Sequence, residues 1–248
     1  MSASEGHEPA NRLDDEVTSS VDSRAPVDST SSDRASYIGD RIVLGIARHW
    51  LAFFNIAIFT YLIIPFLAPL LMQVGASGPA RLIYTVYSPA CHQLPDRSYF
   101  LFGEKPVYSL SELEESGVLE SSNILLRRKY VGDETLGWKV ALCERDLAIY
   151  GAVVLAGLLF GLIRDRFRVP KLSFKFFLIL LFPIAFDGLS QLFGFRSSNW
   201  MLRTITGALF GFATVWLAYP YIDESMAEIR ESTEKKLARR AQLLAENE

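Results

Sequence analysis

Phe174-Lys-Phe-Phe-Leu-Ile-Leu-Leu-Phe-Pro-Ile-Ala-Phe-Asp187-Gly-Leu-Ser-Gln191-Leu-Phe-Gly-Phe-Arg196-Ser-Ser198-Asn199 is the stretch on which the reading of this chain turns. Its apolar run is long enough to cross a bilayer, and it carries a carboxylate inside. An ionised group at membrane depth costs roughly 2.5–3.5 kcal/mol on insertion scales, so it is expected to face a partner or a polar cavity. Asp187 and Gln191 are four residues apart and share a helix face. An amide- and arginine-rich turn follows them. Asp187 is therefore the first pointer to a functional site.

Three further apolar blocks resemble this one in length: Trp50–Met72, Leu147–Ile163 and Leu202–Tyr221. Runs of 17–23 residues span about 26–35 Å as helices, against a hydrocarbon core of about 30 Å. None has the polar face that a surface helix of a soluble protein needs. The chain has 248 residues, of which 50% are hydrophobic, and its mean hydropathy is +0.20. The expected fold is an all-α membrane protein with four transmembrane helices, at about 50–72, 143–163, 174–193 and 202–221. A net charge of −3 and the lack of a basic field give no reason to expect nucleic acid.

Residues 1–36 are rich in Ser, Asp, Glu, Arg and Pro and poor in aromatics. A disordered tail is expected there, reaching to about residue 40. It has no apolar h-region, so the first helix is expected to act as an uncleaved insertion signal. Between the second and third blocks lie Arg164, Arg166, Arg168, Lys171 and Lys175. Arg41 and Arg48 precede the first block, and Arg230, Lys235, Lys236, Arg239 and Arg240 follow the last. The positive-inside rule then places both termini and the 164–173 loop in the cytoplasm of a multi-pass cell-membrane protein. Residues 223–248 read as a charged cytoplasmic helix. The 73–146 loop and the 194–201 turn face outward.

That orientation gathers Cys91, His92, Cys143, Asp146, Arg196, Ser198, Asn199, Asp187, Gln191 and Arg203 at one membrane level. In the long loop, Pro89 and Pro95 bracket Cys91-His92-Gln93 and stop a helix running through it. A short re-entrant or surface-lying piece is expected there. A small α+β insertion is expected at 103–140. Ser109 or Ser111 would cap a short helix that buries Leu113 and ends at Gly117. Ile124–Val131 and Thr135–Ala141 flank Gly132-Asp133-Glu134 and read as a hairpin. It returns the chain to Cys143, three residues before Asp146 on the same helix face.

Cys91, His92, Cys143 and Asp146 form a candidate tetrahedral zinc set. The adjacency of Cys91 and His92 demands a tight turn. The two cysteines, both on an oxidising side, equally suit a disulfide closing the base of the insertion. Asp187 is expected to pair with Arg203 or Arg196. The two arginines together would suit a phosphate or carboxylate. Gly157-x-x-x-Gly161 and Gly207-x-x-x-Gly211 read as close helix-packing faces.

Three motifs carry a resemblance: Cys91-His92-Gln93-Leu-Pro95-Asp96-Arg97-Ser98; Cys143-Glu-Arg-Asp146-Leu-Ala-Ile149-Tyr150-Gly151; and Asp187-Gly188-Leu-Ser-Gln191 with Arg196-Ser-Ser198-Asn199 and Arg203-Thr-Ile-Thr206-Gly207. The chain resembles DUF2085, a family of small prokaryotic membrane proteins without an assigned activity. In the family pattern a second cysteine stands where this chain has Asp146. That substitution disfavours thiol redox chemistry and leaves metal binding open. A weaker similarity runs to VanZ-like membrane proteins, which share an acidic residue, a Gln and an Arg before a Gly-rich helix.

Two functions are expected from these residues. One is action on a lipid or lipid-linked headgroup. In it Arg196, Arg203, Arg97, Ser198 and Asn199 hold the anion, Asp187 and Gln191 handle a proton, and His92 acts as base or zinc ligand. The other is a non-catalytic transport subunit or scaffold, with a Cys91–Cys143 disulfide and an Asp–Arg clasp. The bilayer is the one partner implied, and oligomeric state is open.

Overall fold

In a computed structural model, residues 29–117, 123–167, 169–195 and 198–246 are described. Helices dominate. α1 (Ser29–Gln73), α5 (Glu144–Ile163), α6 (Phe174–Leu192) and α7 (Trp200–Ala245) are each long and apolar enough to cross a bilayer. Between α1 and α5 lie α2 (Ser77–Tyr87), β1 (Ser98–Leu101), α3 (Leu110–Glu115), α4 (Ile124–Lys129), β2 (Gly132–Asp133) and β3 (Gly137–Cys143). The strands form one antiparallel sheet in the order β1-β3-β2.

Two helices outrun their apolar blocks. α1 has 45 residues and α7 has 46, about 68 Å each at 1.5 Å per residue. Residues 29–40, expected within the tail, are helical; residues 1–28 lie outside the described set. The fourth apolar block and the charged C-terminal stretch form one continuous helix. Contacts divide the chain into Ala47–Ile229 and a second unit, Met1–Ile46 with Arg230–Glu248. Within that second unit, Lys236 pairs with Asp40 at 2.8 Å.

Ala47–Ile229 has two main cores and a smaller cluster of Phe100, Tyr108 and Leu113 in the insertion. Trp50, Leu51, Ala156, Phe160, Val215 and Tyr219 pack at the end where α5 finishes. There Asp223 accepts from Trp50 at 3.2 Å and from Arg164 at 2.7 Å. The other core, at the start of α5, joins Ala68, Ala80, Tyr84, Tyr87 and Cys91 to Val140, Ala141, Leu142 and Leu147. Outside these cores, α6 leaves Phe174, Phe176, Ile179, Phe182 and Phe186 more than half exposed. A water-soluble domain does not present a patch of that extent.

Glycines set the helix spacing. A Cβ on Gly211 would lie 2.3 Å from the Ile149 carbonyl oxygen, and one on Gly207 would lie 2.8 Å from that of Arg145. Both therefore let α7 approach α5 backbone to backbone. Gly157 brings α5 against Asn55 of α1. The close-packing role expected of both glycine pairs is what these contacts give.

In the insertion, Ser109 caps α3 through a full capping box with Glu112. Leu113 is fully buried, and Gly117 follows at φ +73°. The expected hairpin differs. Its first arm, Ile124–Lys129, is a helix and not a strand. Asn123 accepts a bond from the Leu125 N–H at 2.9 Å, and the Leu, Arg and Lys residues after it are good helix formers. Of the expected first arm and its turn, only Gly132–Asp133 forms a strand against β3. Ahead of it, Tyr84–Tyr87 belong to α2, and a short 3-10 turn at Pro95–Arg97 leads into β1; β1 then takes the edge of the same sheet.

Candidate functional site

β3 delivers the chain to Cys143, whose backbone is extended immediately before α5 begins. The next three residues carry charge, and successive helical residues point about 100° apart. Each therefore reaches a different neighbour. Glu144 meets Arg203 of α7 at 3.0 Å, with only 2% and 8% of the two side chains exposed. Arg145 pairs with Asp187 of α6. Asp146 turns toward the cysteines.

The expected pairing of Asp187 with Arg203 is thus corrected: Arg145 supplies a guanidinium to Asp187, and Arg203 pairs with Glu144. Arg203 is taken up elsewhere. It donates to Glu144, to the Ser198 carbonyl at 2.6 Å and to the Asp96 carbonyl at 3.2 Å. Arg196 lies outside the described residues. Gln191 donates to the Asp187 carboxylate at 3.0 Å, as the i, i+4 spacing anticipates. Asp187 itself is 1% exposed. Gly207 leaves room for Arg145, since a Cβ there would sit 2.8 Å from its carbonyl oxygen, whereas a Cβ on Gly188 would make ordinary contact at 3.6 Å from its Nη1. A glycine of the third motif thus clears the way for an arginine of the second.

Glu144 and Arg145 are the functional-end residues that sequence reasoning passed over. The signal was present: two adjacent opposite charges open an otherwise apolar helix.

Cys91 is buried, Cys143 is half-buried, and both are free thiols. The Cys143 N–H donates to Cys91 Sγ at 3.2 Å. The Sγ atoms of Cys91 and Cys143 and a carboxylate oxygen of Asp146 all lie within 4.8 Å of one another. Hydrogen bonding to the Cys91 thiol, and then burial, push Cys143 well above the usual thiol range. His92 is exposed and does not join this cluster. The tight turn its adjacency to Cys91 requires sends the two side chains to different environments.

Two cavities open here. One, of about 460 Å³, is lined by Cys91, His92, Cys143, Asp146, Arg145 and Gln191, among others. The larger, of about 1170 Å³, is lined by Asp96, Tyr108, Glu112, Arg127, Ser198 and Asn199, among others. Arg97, Gln191 and Arg203 line both. Asn199 accepts a bond from the Leu202 N–H at 2.8 Å and so caps α7. Arg127 pairs with Asp96 at 2.8 Å. Among the described residues, Arg97 has one ion pair, to Asp96 at 3.5 Å, and 43% of its side chain is exposed.

Four apolar helices with a polar, charge-paired end define a multi-pass helical membrane protein. A family model described as "Predicted membrane protein (DUF2085)" matches residues 135–217. An uncharacterised protein of Methanocaldococcus jannaschii is 31% identical over 167 residues, which cover 64% of this chain and 83% of that relative. The chain belongs to this family of predicted membrane proteins. No solved structure matches it. These matches do not show the similarity to VanZ-like proteins.

Proposed function

We propose that this protein holds a zinc-type divalent cation on Cys91, Cys143 and Asp146 at the extracytoplasmic end of its helices. There it presents the cation to an anionic headgroup, lipid-borne or lipid-linked. The observation that carries the proposal is the meeting of three ligand atoms from two distant stretches on the wall of a polar cavity. Two thiolates and one carboxylate leave a fourth tetrahedral position for water or a ligand, the arrangement of zinc sites that act as Lewis acids.

Charge supports the same reading. Arg127, Arg145 and Arg203 are already paired with Asp96, Asp187 and Glu144. Two thiolates beside the Asp146 carboxylate would concentrate negative charge on this wall, which a divalent cation neutralises. The anion falls to Arg97, because Arg145 and Arg203 are already engaged with carboxylates. His92 lines the same cavity without joining the ligand cluster. In this reading His92 is the proton-transfer group, and Gln191 lines the same cavity. In this reading Asp187 is a structural anchor and not the acid. The sidedness follows from the five basic residues that the sequence carries at 164–175, between the second and third apolar blocks, which the positive-inside rule puts in the cytoplasm.

The alternative, a non-catalytic transport subunit or scaffold, draws on the two buried ion pairs. They tie α5 to α6 and to α7 and serve well as a clasp. Metal analysis of purified protein alongside thiol titration, with and without reductant, separates the two. Zinc near one per chain that is lost in Cys143→Ala and in Asp146→Ala supports the metal site. A quantitative Cys91–Cys143 disulfide with no metal supports the scaffold.

A further inference from the structure

Lys139, in the middle of β3, is fully buried. Its Nζ donates to the Gln93 carbonyl at 2.7 Å and to the Arg128 carbonyl at 2.9 Å. A buried amine is costly unless it is satisfied, so a side chain of this length is retained in a core only for what it holds. What it holds is the Cys91 loop. Gln93 sits at φ +52°, in the left-handed region that a side-chain-bearing residue rarely adopts. Two bonds fix it there: Lys139 takes its carbonyl, and its own side-chain Nε2 donates to the Tyr84 carbonyl at 2.9 Å. Tyr84 in turn donates its hydroxyl to the Lys139 carbonyl at 2.5 Å.

The grip is doubled from α4. The Arg128 guanidinium donates to the Ser88 carbonyl and, at 3.4 Å, to the Cys91 carbonyl. Both residues of the loop that flank His92 thus have their carbonyls held by cationic side chains of the insertion and its sheet. Lys139 also links the two grips, because the carbonyl of Arg128 is its second acceptor. Two acceptors match the two N–H groups of a neutral amine as well as they match an ammonium. The clamp therefore does not depend on the charge of Lys139.

We infer that Lys139 is a positioning residue for the Cys91–Cys143–Asp146 site: it locks Gln93 in its left-handed conformation and so sets the direction of the Cys91 thiol. This inference rests on the metal-site reading above. It also gives the insertion a task, that of templating the cysteine loop.

The test is a set of variants of the full-length protein in detergent, with two readouts. One is Co²⁺ titration followed by the thiolate-to-cobalt charge-transfer absorption. The other is the rate at which diamide closes a Cys91–Cys143 disulfide, which needs the same thiol geometry and no metal. Lys139→Met is expected to weaken Co²⁺ by about tenfold or more, the range of supporting-shell losses at metal sites, and to slow disulfide closure. Gln93→Gly reaches positive φ without help, so Lys139→Met with Gln93→Gly is expected to recover most of both. Gln93→Pro, with φ fixed near −65°, is expected to reproduce the Lys139→Met defect with Lys139 intact. That variant decides the matter if Lys139→Met does not fold. The inference is overturned if folded Lys139→Met matches the parent in both readouts, if Gln93→Gly restores neither, or if Gln93→Pro behaves as the parent. Should the parent bind no Co²⁺, the metal reading fails by itself, and disulfide closure still judges the role of Lys139.

Discussion

Removing Asp187 is expected to leave Arg145 as an uncompensated charge between helices. In Asp187→Leu the apolar side chain fills the space, but the guanidinium loses its carboxylate. Breaking one half of a buried pair costs about 3–5 kcal/mol. The Arg145 side chain keeps 24% of its surface exposed, so relaxation toward water puts the loss near the lower figure, about 3 kcal/mol. Arg145→Met is expected to cost more, because Asp187 is only 1% exposed and loses the Arg145 guanidinium. The double variant should cost far less than the sum, with a coupling of at least about 2 kcal/mol. Reversible unfolding in mixed micelles, followed by tryptophan fluorescence and far-UV circular dichroism, measures the cycle. A parallel cycle of Asp187→Leu with Arg203→Met should show the weaker coupling, and Glu144→Gln with Arg203→Met the stronger. The pairing argument fails if Asp187 and Arg145 are additive within about 0.5 kcal/mol, or if Arg203 proves the tighter partner of Asp187.

Gly211→Ala, whose Cβ would meet the Ile149 carbonyl at 2.3 Å, should destabilise by about 1–3 kcal/mol. Gly151→Ala has open space around it and should be neutral or stabilising by up to about 1 kcal/mol; equal Tm values for the two would contradict the α5–α7 contact. Ser109→Ala breaks the capping box and should cost about 1 kcal/mol, seen as faster proteolysis of the insertion. Burial pulls Lys139 down to about 7, below its value in an unfolded chain. Between pH 7 and roughly 10.4 the unfolded chain then binds the extra proton, so stability rises with pH across that window. Lys139→Met should flatten that rise in pH-dependent unfolding curves, and an unchanged slope would mean that Lys139 does not titrate there.

Much of this protein was legible without coordinates. A helix must satisfy its own backbone in hydrocarbon, so four apolar runs of bilayer length name four helices. Glycine spacing announced the packing faces, and Ser109 announced a cap. Local chemistry also misled: residues 29–40, expected within the tail, are helical, and the stretches flanking Gly132 suggested two full strands, whereas the Asn123 cap and the residues after it make the first arm helical.

Sequence by itself also determined that polar groups gather at one end, because their positions relative to the apolar runs are fixed by counting residues. Which group meets which was decided only by the tertiary structure. Glu144, Arg145 and Asp146 are consecutive, and a helical step of about 100° sends them to α7, α6 and the cysteine loop. Their partners lie more than 40 residues away in each case, at distances set by glycine contacts between helices. Spacing along a chain fixes the face of a helix; only packing fixes what that face meets.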